Sequence, residues 1–510
     1  MFKKKREENV FHISGLSLTR EIVMLFTICS AQGMVQASLA QSFLPGLVIG
    51  EGFGAESTDI AWYPAAYALT SGTFMLAFGR VGDIVGHKSL FVAAWGWFSL
   101  WALLARISVY SGSHVFFDIC RAFQGIAAAA LVPSALAILG MIYKPGPRKN
   151  LAFSLYAAGA PIGFTLGAVF SALLAQLASW PWVFYINAIA CLIYGGLACL
   201  FVPHIGRKPS PTREPFDYLG TLTIISAKSL SPGLVLFNFA WNRAPETGWA
   251  SAQCITTLII GLFLIAVFFP LEKRTAHPIV PVAQIDRDAA WILFIEGLGW
   301  SSFGILCYYS INFMILLRGN SMLSVAAQLS PVPPAGIAAS ILTSNLLTRG
   351  VTPPVILAFS LIWFCVGNVI LATMPVHQTY WLNVFWAYLL SPFGMDMSFP
   401  AGTILLSNLV PVEHQGIAAS LIATVVYYSQ SLGLGIAGVV EVNVANDLVL
   451  EGYRGALYLG IGLSGLGFIV GVGYAIQCMR QNKTNLGSNE RLETAEDPLP
   501  IPLAASNEQQ

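Results

Sequence analysis

The sequence predicts an all-α polytopic membrane protein. Three observations carry the prediction: a charge-poor composition, a series of apolar runs of bilayer length, and Lys and Arg gathered on one side of the resulting topology. Of 510 residues, 56% are hydrophobic and 10% charged, where soluble chains carry about 25% charged residues. Lipid, not water, suits such a surface, so the bilayer is the partner implied by composition. A net charge of +1 provides no basic field to gather nucleic acid, and no nucleic-acid partner is expected.

A hydrocarbon core about 30 Å thick needs roughly 20 apolar residues at about 1.5 Å rise each. Fourteen runs of that kind are expected, at 22–46, 60–80, 89–109, 115–142, 151–177, 181–203, 218–240, 251–271, 290–316, 324–347, 354–374, 380–409, 416–441 and 456–478. The first is too long for a signal-peptide core and reads as a span. The seventh is the most polar and contains Lys228. Residues 1–21 form a basic cytosolic segment, and 479–510, rich in Glu, Asn, Pro and Ser, is expected to be a disordered cytosolic tail.

Loop charge checks the count. With the N-terminus inside, twenty of the 26 Lys and Arg fall in cytoplasmic segments, while Arg106, Arg243, Arg318 and Arg454 fall outside. Lys and Arg accumulate on the cytoplasmic side. A miscount by one span would invert every later loop, so an even number with both termini cytosolic is expected. All eight cysteines lie in apolar runs without metal-ligand spacing, so neither a disulfide nor a zinc framework is expected, and no cofactor. Trp62, Trp180, Trp182, Trp249 and Trp381 fall at span ends, where an aromatic belt would lie.

Between spans 2 and 3 stands Gly79-Arg80-Val81-Gly82-Asp83-Ile84-Val85-Gly86-His87-Lys88. The glycines permit a tight turn, and Arg80, Asp83 and Lys88 can pair with opposite charges or helix ends, which suits a conformational latch as well as an ordinary basic inside loop. His87 and His414 read as solvated loop residues. The stretch also resembles the Gly-x-x-x-Asp-x-x-Gly-x-Lys/Arg loop of the major facilitator superfamily. Two further segments are similar to elements of that family: Arg121-Ala122-Phe123-Gln124-Gly125 in span 4, and Gly159-Ala160-Pro161-Ile162-Gly163-Phe164-Thr165-Leu166-Gly167 in span 5, which departs from the antiporter motif at Ala160, Phe164 and Thr165. Phrases such as Trp180-Pro181-Trp182 and Ser391-Pro392-Phe393-Gly394-Met395-Asp396 resemble the fungal aminotriazole-resistance, boron-efflux and low-affinity ammonium transporter group.

The resemblance implies two six-helix bundles, 22–203 and 290–478, with a linker at 204–289 carrying two additional transmembrane helices, as in the fourteen-span drug:proton antiporter branch. It further implies a cavity lined by spans 1, 4, 9 and 12. Ionisable side chains inside spans are costly and mark function by default. Asp118, Glu296 and Asp396 all fall on those helices. Asp118 and Arg121 are three apart and can pair, for structure or for coupling. Asp396 has no basic residue within one turn and is the foremost proton-coupling candidate. Glu296 is placed shallowly enough to reach towards the cytosol. Gln32 and Gln36, with Gln124, Asn312, Tyr427, Tyr428 and Gln430, are candidate cavity residues. Pro161 with Gly159, Gly163 and Gly167 is expected at an interface helix.

The function expected is secondary transport by a monomer, with protons and a small molecule or ion as partners: efflux of drugs, toxins or metabolites by alternating access. The alternative is a facilitator or importer of a small inorganic solute such as ammonium or borate. No nucleotide loop or His-Glu-x-x-His motif occurs, so an enzyme is not expected. The plasma membrane is the expected location, with the vacuolar membrane as alternative.

Overall fold

The computed structural model describes residues 17–143, 147–203, 231–273, 287–409, 415–445 and 448–495. They form α1 (Leu18–Phe43), α2 (Trp62–Val85), α3 (His87–Ile107), α4 (His114–Ile142), α5 (Pro147–Leu177), α6 (Pro181–Phe201), α7 (Ser231–Thr247), α8 (Ala252–Lys273), α9 (Arg287–Asn312), α10 (Val332–Thr348), α11 (Pro353–Thr373), α12 (Val384–Asn408), α13 (Gln415–Val444) and α14 (Val449–Ala495). α9 ends in a π-helical turn, Phe313–Leu317, and a short helix, Met322–Gln328, leads into α10. Among the described residues eleven helices are long and apolar enough to cross a membrane. α7 has only 17 described residues. α2 and α12 carry buried polar side chains, Thr70, Ser71 and Thr73 in the first and Ser391 and Ser398 in the second.

Two bundles, α1–α6 and α9–α14, are each assembled through close approaches at small residues, as membrane helices without a hydrophobic drive between them require. On α5 the glycines at 159, 163 and 167 recur every four residues and lie against α1. A Cβ on Gly163 would fall 2.5 Å from Gly33 Cα, and one on Gly159 3.3 Å from Cys29 O. On α13, a Cβ at Gly433 would meet Ser301 O of α9 at 2.7 Å. The bundles meet where α2 packs on α13 around Gly72, and where α5 meets α10 at Pro161 and Gly336.

α7 lies across the first of these contacts. Asn242 Nδ2 donates to Ser431 O of α13 (3.3 Å), and the Ser431 hydroxyl lies 3.0 Å from both Asn238 Oδ1 of α7 and Ala65 O of α2. Tyr428 Oη donates to Leu234 O at 3.0 Å. Towards α2, Arg243 lies 3.9 Å from Asp59 and pairs with Glu246.

Several boundaries differ from the sequence expectation. The segment at 79–85 is not a loop but the last two turns of α2. The turn itself is Gly86, whose φ of +101° excludes most other residues. α7 runs on to Thr247, which puts Arg243 in a helix instead of a loop. α14 continues to Ala495, so the first part of the tail expected to be disordered is helical. Trp62 and Trp180 are buried rather than interfacial; Trp180 packs among Phe53, Phe117 and Phe184, while Trp182, Trp249 and Trp381 are exposed. Lys228, His414, the basic N-terminal run and most of the loops flanking α7 and α8 lie outside the described residues.

Candidate functional site

Asp396 sits in the middle of α12, between Pro392 and Pro400. A Cβ added to Gly336 of α10 would be 2.6 Å from Asp396 Oδ2 and 2.9 Å from Pro161 Cγ. One small residue thus brings the carboxylate beside the crossing of α5 and α10, where the two bundles touch. Oδ2 is buried and has no hydrogen-bond partner. In an α-helix, position 161 lies about 200° round the axis from 159. The span-5 motif therefore divides its work: the glycines join α5 to α1 within one bundle, and Pro161 faces the other bundle. The expectation that these glycines form the contact between halves is corrected accordingly.

Glu296, on α9, is fully buried and does not reach towards the helix end. Trp300 Nε1 is shared between Glu296 Oε2 (3.0 Å) and Ser398 Oγ of α12 (3.1 Å). A Cβ on Gly402 would stand 3.0 Å from Glu296 Cδ, so that glycine makes the room the carboxyl occupies. The shallow placement failed because α9 begins at Arg287, and Glu296 lies more than two turns inside it.

Arg121 of α4 is 0% exposed and touches no carboxylate. Nε donates to Tyr63 O (3.4 Å), Nη2 to Ser38 O (2.6 Å) and Ser42 Oγ (3.0 Å), and Nη1 to Gln124 Oε1. The guanidinium carbon lies 4.6 Å from the Tyr67 ring centroid. Asp118 instead lies 3.8 Å from His114 Nδ1, its other oxygen buried without a partner. The expected Asp118–Arg121 pair is absent because carbonyls and hydroxyls of α1 and α2 reach the guanidinium first. Apart from Gln124, its acceptors are distant in sequence.

Between these groups, Gln32 Oε1 and Gln36 Oε1 on α1 and the Tyr156 hydroxyl on α5 are buried without partners. Tyr427 of α13 interacts with Gln32, which ties α1 to the other bundle. Asn312, at the end of α9, bonds Tyr308 rather than lining the centre. Tyr428 faces α7. In the expected latch, Asp83 pairs with Arg80 (3.9 Å) and with His87 (3.1 Å), and Lys88 donates to Cys199 O (3.0 Å). Those partners belong to the same bundle; Gly79 approaches the other, with Ser420 Oγ 3.3 Å from its added Cβ. His87 is packed over Gly82 and is not a solvated loop residue.

Three acids escaped the sequence reading: Glu21 and Asp59 are buried, and Glu441 is half-buried. Glu441 of α13 accepts from Tyr309 Oη at 2.7 Å. It stands at the last position of the expected span 13, where an acidic residue reads as a boundary; the helix in fact continues to Val444.

Residues 26–434 match the Major Facilitator Superfamily. The chain belongs to that superfamily. Its relatives span nearly their whole length: the low affinity ammonium transporter of Saccharomyces cerevisiae is 46% identical over 93% of this chain and 92% of its own. The efflux pump terJ of Aspergillus terreus is 40% identical over 91% and 90%, and the aminotriazole resistance protein of S. cerevisiae 37% identical over 90% and 85%. Among solved structures, a POT family transporter in complex with a thioalcohol conjugated peptide superposes with a TM-score of 0.66 at 15% identity, covering 90% of this chain and 96% of that one. That likeness concerns the fold alone. This superfamily member is an integral multi-pass membrane transporter and not an enzyme.

Proposed function

We propose that the protein is a proton-coupled exporter of small molecules that works by alternating access, with Asp396 as the coupling group. The observation that carries this reading is the unpartnered Asp396 Oδ2 beside the Pro161–Gly336 crossing. A buried carboxylate with no cation partner is neutralised by a proton, and a group at a contact between halves changes surroundings when that contact parts. The efflux pump and aminotriazole-resistance names of relatives agree with export.

The reading extends to fourteen spans, both termini cytosolic, a plasma-membrane location and a monomer, with Gln32, Gln36, Gln124 and Tyr427 lining the substrate route. Glu296, Asp118 and Arg121 support the cavity walls, and Arg80, Asp83 and Lys88 brace the termini end of the first bundle.

A second reading, facilitated entry of ammonium, draws on the 46% identical ammonium transporter and on the unpartnered acceptors Gln32 Oε1, Gln36 Oε1 and Asp396 Oδ2, which suit an N–H donor.

Inverted vesicles separate the two. With aminotriazole, borate and methylammonium as probes, an imposed pH gradient should drive uptake in the wild type and not in Asp396→Asn, at equal membrane abundance. Gradient-driven flux that persists in the variant rejects the coupling role. Methylammonium flux that survives collapse of the gradient selects the second reading.

A further inference from the structure

The loops at the far end of the second bundle form an open pocket of about 240 Å³, lined by Arg318, Asn320, Gln328, His377, Gln378 and Tyr380 beside Val376. It lies between the α9–α10 connection and the α11–α12 loop, away from Asp396 and Glu296. No acidic side chain lines it.

Two guanidinium groups bond the turn Met374–Pro375 beside the cavity, and Arg318 is the one that lines it. Arg318 Nη2 donates to Pro375 O (3.0 Å) and lies 3.5 Å from Met374 Sδ; Arg454 Nη2 donates to Met374 O (3.3 Å). Among the described residues neither has a carboxylate within 4.0 Å, although four other basic side chains do. The Nε of each is buried and has no partner. Half-buried cations without a counter-charge bear part of a desolvation cost, and an anion supplied from outside removes it. The remaining walls are not donors alone. Gln328 Oε1 and Gln378 Oε1 are also buried without partners, while Gln328 Nε2 is taken up by Ser324 Oγ at 3.3 Å. A ligand that satisfies every orphaned atom therefore accepts from guanidinium and donates to amide oxygens.

We propose that this cavity binds a small oxyanion that retains an O–H group, of the hydrogen phosphate class. Its anionic oxygens take the Arg318 N–H groups, and its hydroxyl donates to Gln378 or Gln328. A bound anion also has a mechanical consequence. Gln328 ends the helix Met322–Gln328, and Leu323 at the start of that helix donates its N–H to Gln176 Oε1 of α5 at 3.2 Å. Tyr380 Oη donates to Gln328 O at 2.9 Å. The ligand thus fastens a connector that already spans the two bundles, and it stabilises the arrangement in which their far ends touch.

The test uses the purified full chain in nanodiscs, titrated calorimetrically with sodium phosphate, sodium sulfate or sodium chloride at equal ionic strength and neutral pH. Phosphate should bind saturably to the wild type, with sulfate, which has no O–H, at least tenfold weaker and chloride silent. Arg318→Gln should lower phosphate affinity by at least tenfold. Gln378→Ala, which leaves the guanidinium packing intact, should bring phosphate down to the level of sulfate. Absence of saturable phosphate binding in the wild type overturns the proposal, as does binding unchanged in both variants. Sulfate binding equal to phosphate overturns the assigned ligand class.

Discussion

Gly72→Ala tests whether the bundles part along α2 and α13. An ideal Cβ at Gly72 falls 2.5 Å from Tyr428 N, 2.9 Å from Thr424 O and 3.0 Å from Tyr428 Cα. All three are backbone atoms of the other bundle, so no side-chain rotation relieves them. Comfortable non-bonded contacts lie near ~3.5 Å, so the helices must separate by roughly 1 Å at this point. Overpacking of this kind costs about 1–3 kcal/mol. Only the conformer that keeps the contact bears that cost, so the equilibrium between conformers should move by roughly 5- to 150-fold away from it. Spin labels at Tyr110 and Trp381, exposed on opposite bundles, report the separation by pulsed EPR in nanodiscs. The variant should gain a second distance population and lose most gradient-driven flux while keeping its abundance. Gly163→Ala is the control: its neighbours belong to α1 in the same bundle, so the cost falls on every conformer and appears as lost protein. A Gly72→Ala distance distribution identical to the wild type would refute alternating contact at this seam.

Arg121→Lys should destabilise the first bundle by about 2–4 kcal/mol, because an ammonium has three donors on one atom and cannot reach Tyr63 O, Ser38 O, Ser42 Oγ and Gln124 Oε1 together; thermal unfolding in detergent measures it. Glu296→Gln keeps an acceptor for Trp300 and should shift stability by under ~1 kcal/mol, with transport largely kept. A loss of flux matching Asp396→Asn would instead make Glu296 a coupling group. Because α7 is fastened to α13 by Asn238, Asn242 and Tyr428 and reaches the short helix Ser57–Ile60 ahead of α2 through Arg243 and Asp59, a disulfide between Asp59→Cys and Arg243→Cys should arrest transport until it is reduced. Full activity in the oxidised protein rejects motion of α7 relative to that short helix.

The succession of helices was legible because hydropathy and charge asymmetry are set by the bilayer, which acts on every span alike. Asp396 was legible for a similar reason: isolation from basic residues is a property of its own helix. The failures share another cause. Arg121 was assigned to Asp118 because its true acceptors come from Ser38, Ser42 and Tyr63, at sequence distances that periodicity does not reach. The span-5 glycines were placed at the wrong contact because a spacing of four defines a face and does not say which neighbour it meets. Glu441 and Arg243 were lost at span ends, where polar residues mark a boundary in hydropathy although the helices continue.

The buried charges sort themselves by how completely their partners satisfy them. Arg121 has acceptors from three helices and a ring beneath it, which is what a structural cation requires. Glu296 has one oxygen bonded and the other cradled by Gly402, an intermediate case. Asp396 has an oxygen held against the contact between the two bundles with nothing to bond among the described residues. Burial does not give this order, since Arg121 and Glu296 are both fully buried while Asp396 is half-buried. Partner count does: a satisfied charge opposes any motion that would break its bonds, whereas an unsatisfied one at a seam can gain a partner only when a proton arrives or the seam opens. The prediction that separates Asp396→Asn from Glu296→Gln therefore follows from hydrogen-bond accounting, and equal effects of the two substitutions would show that the accounting does not govern transport.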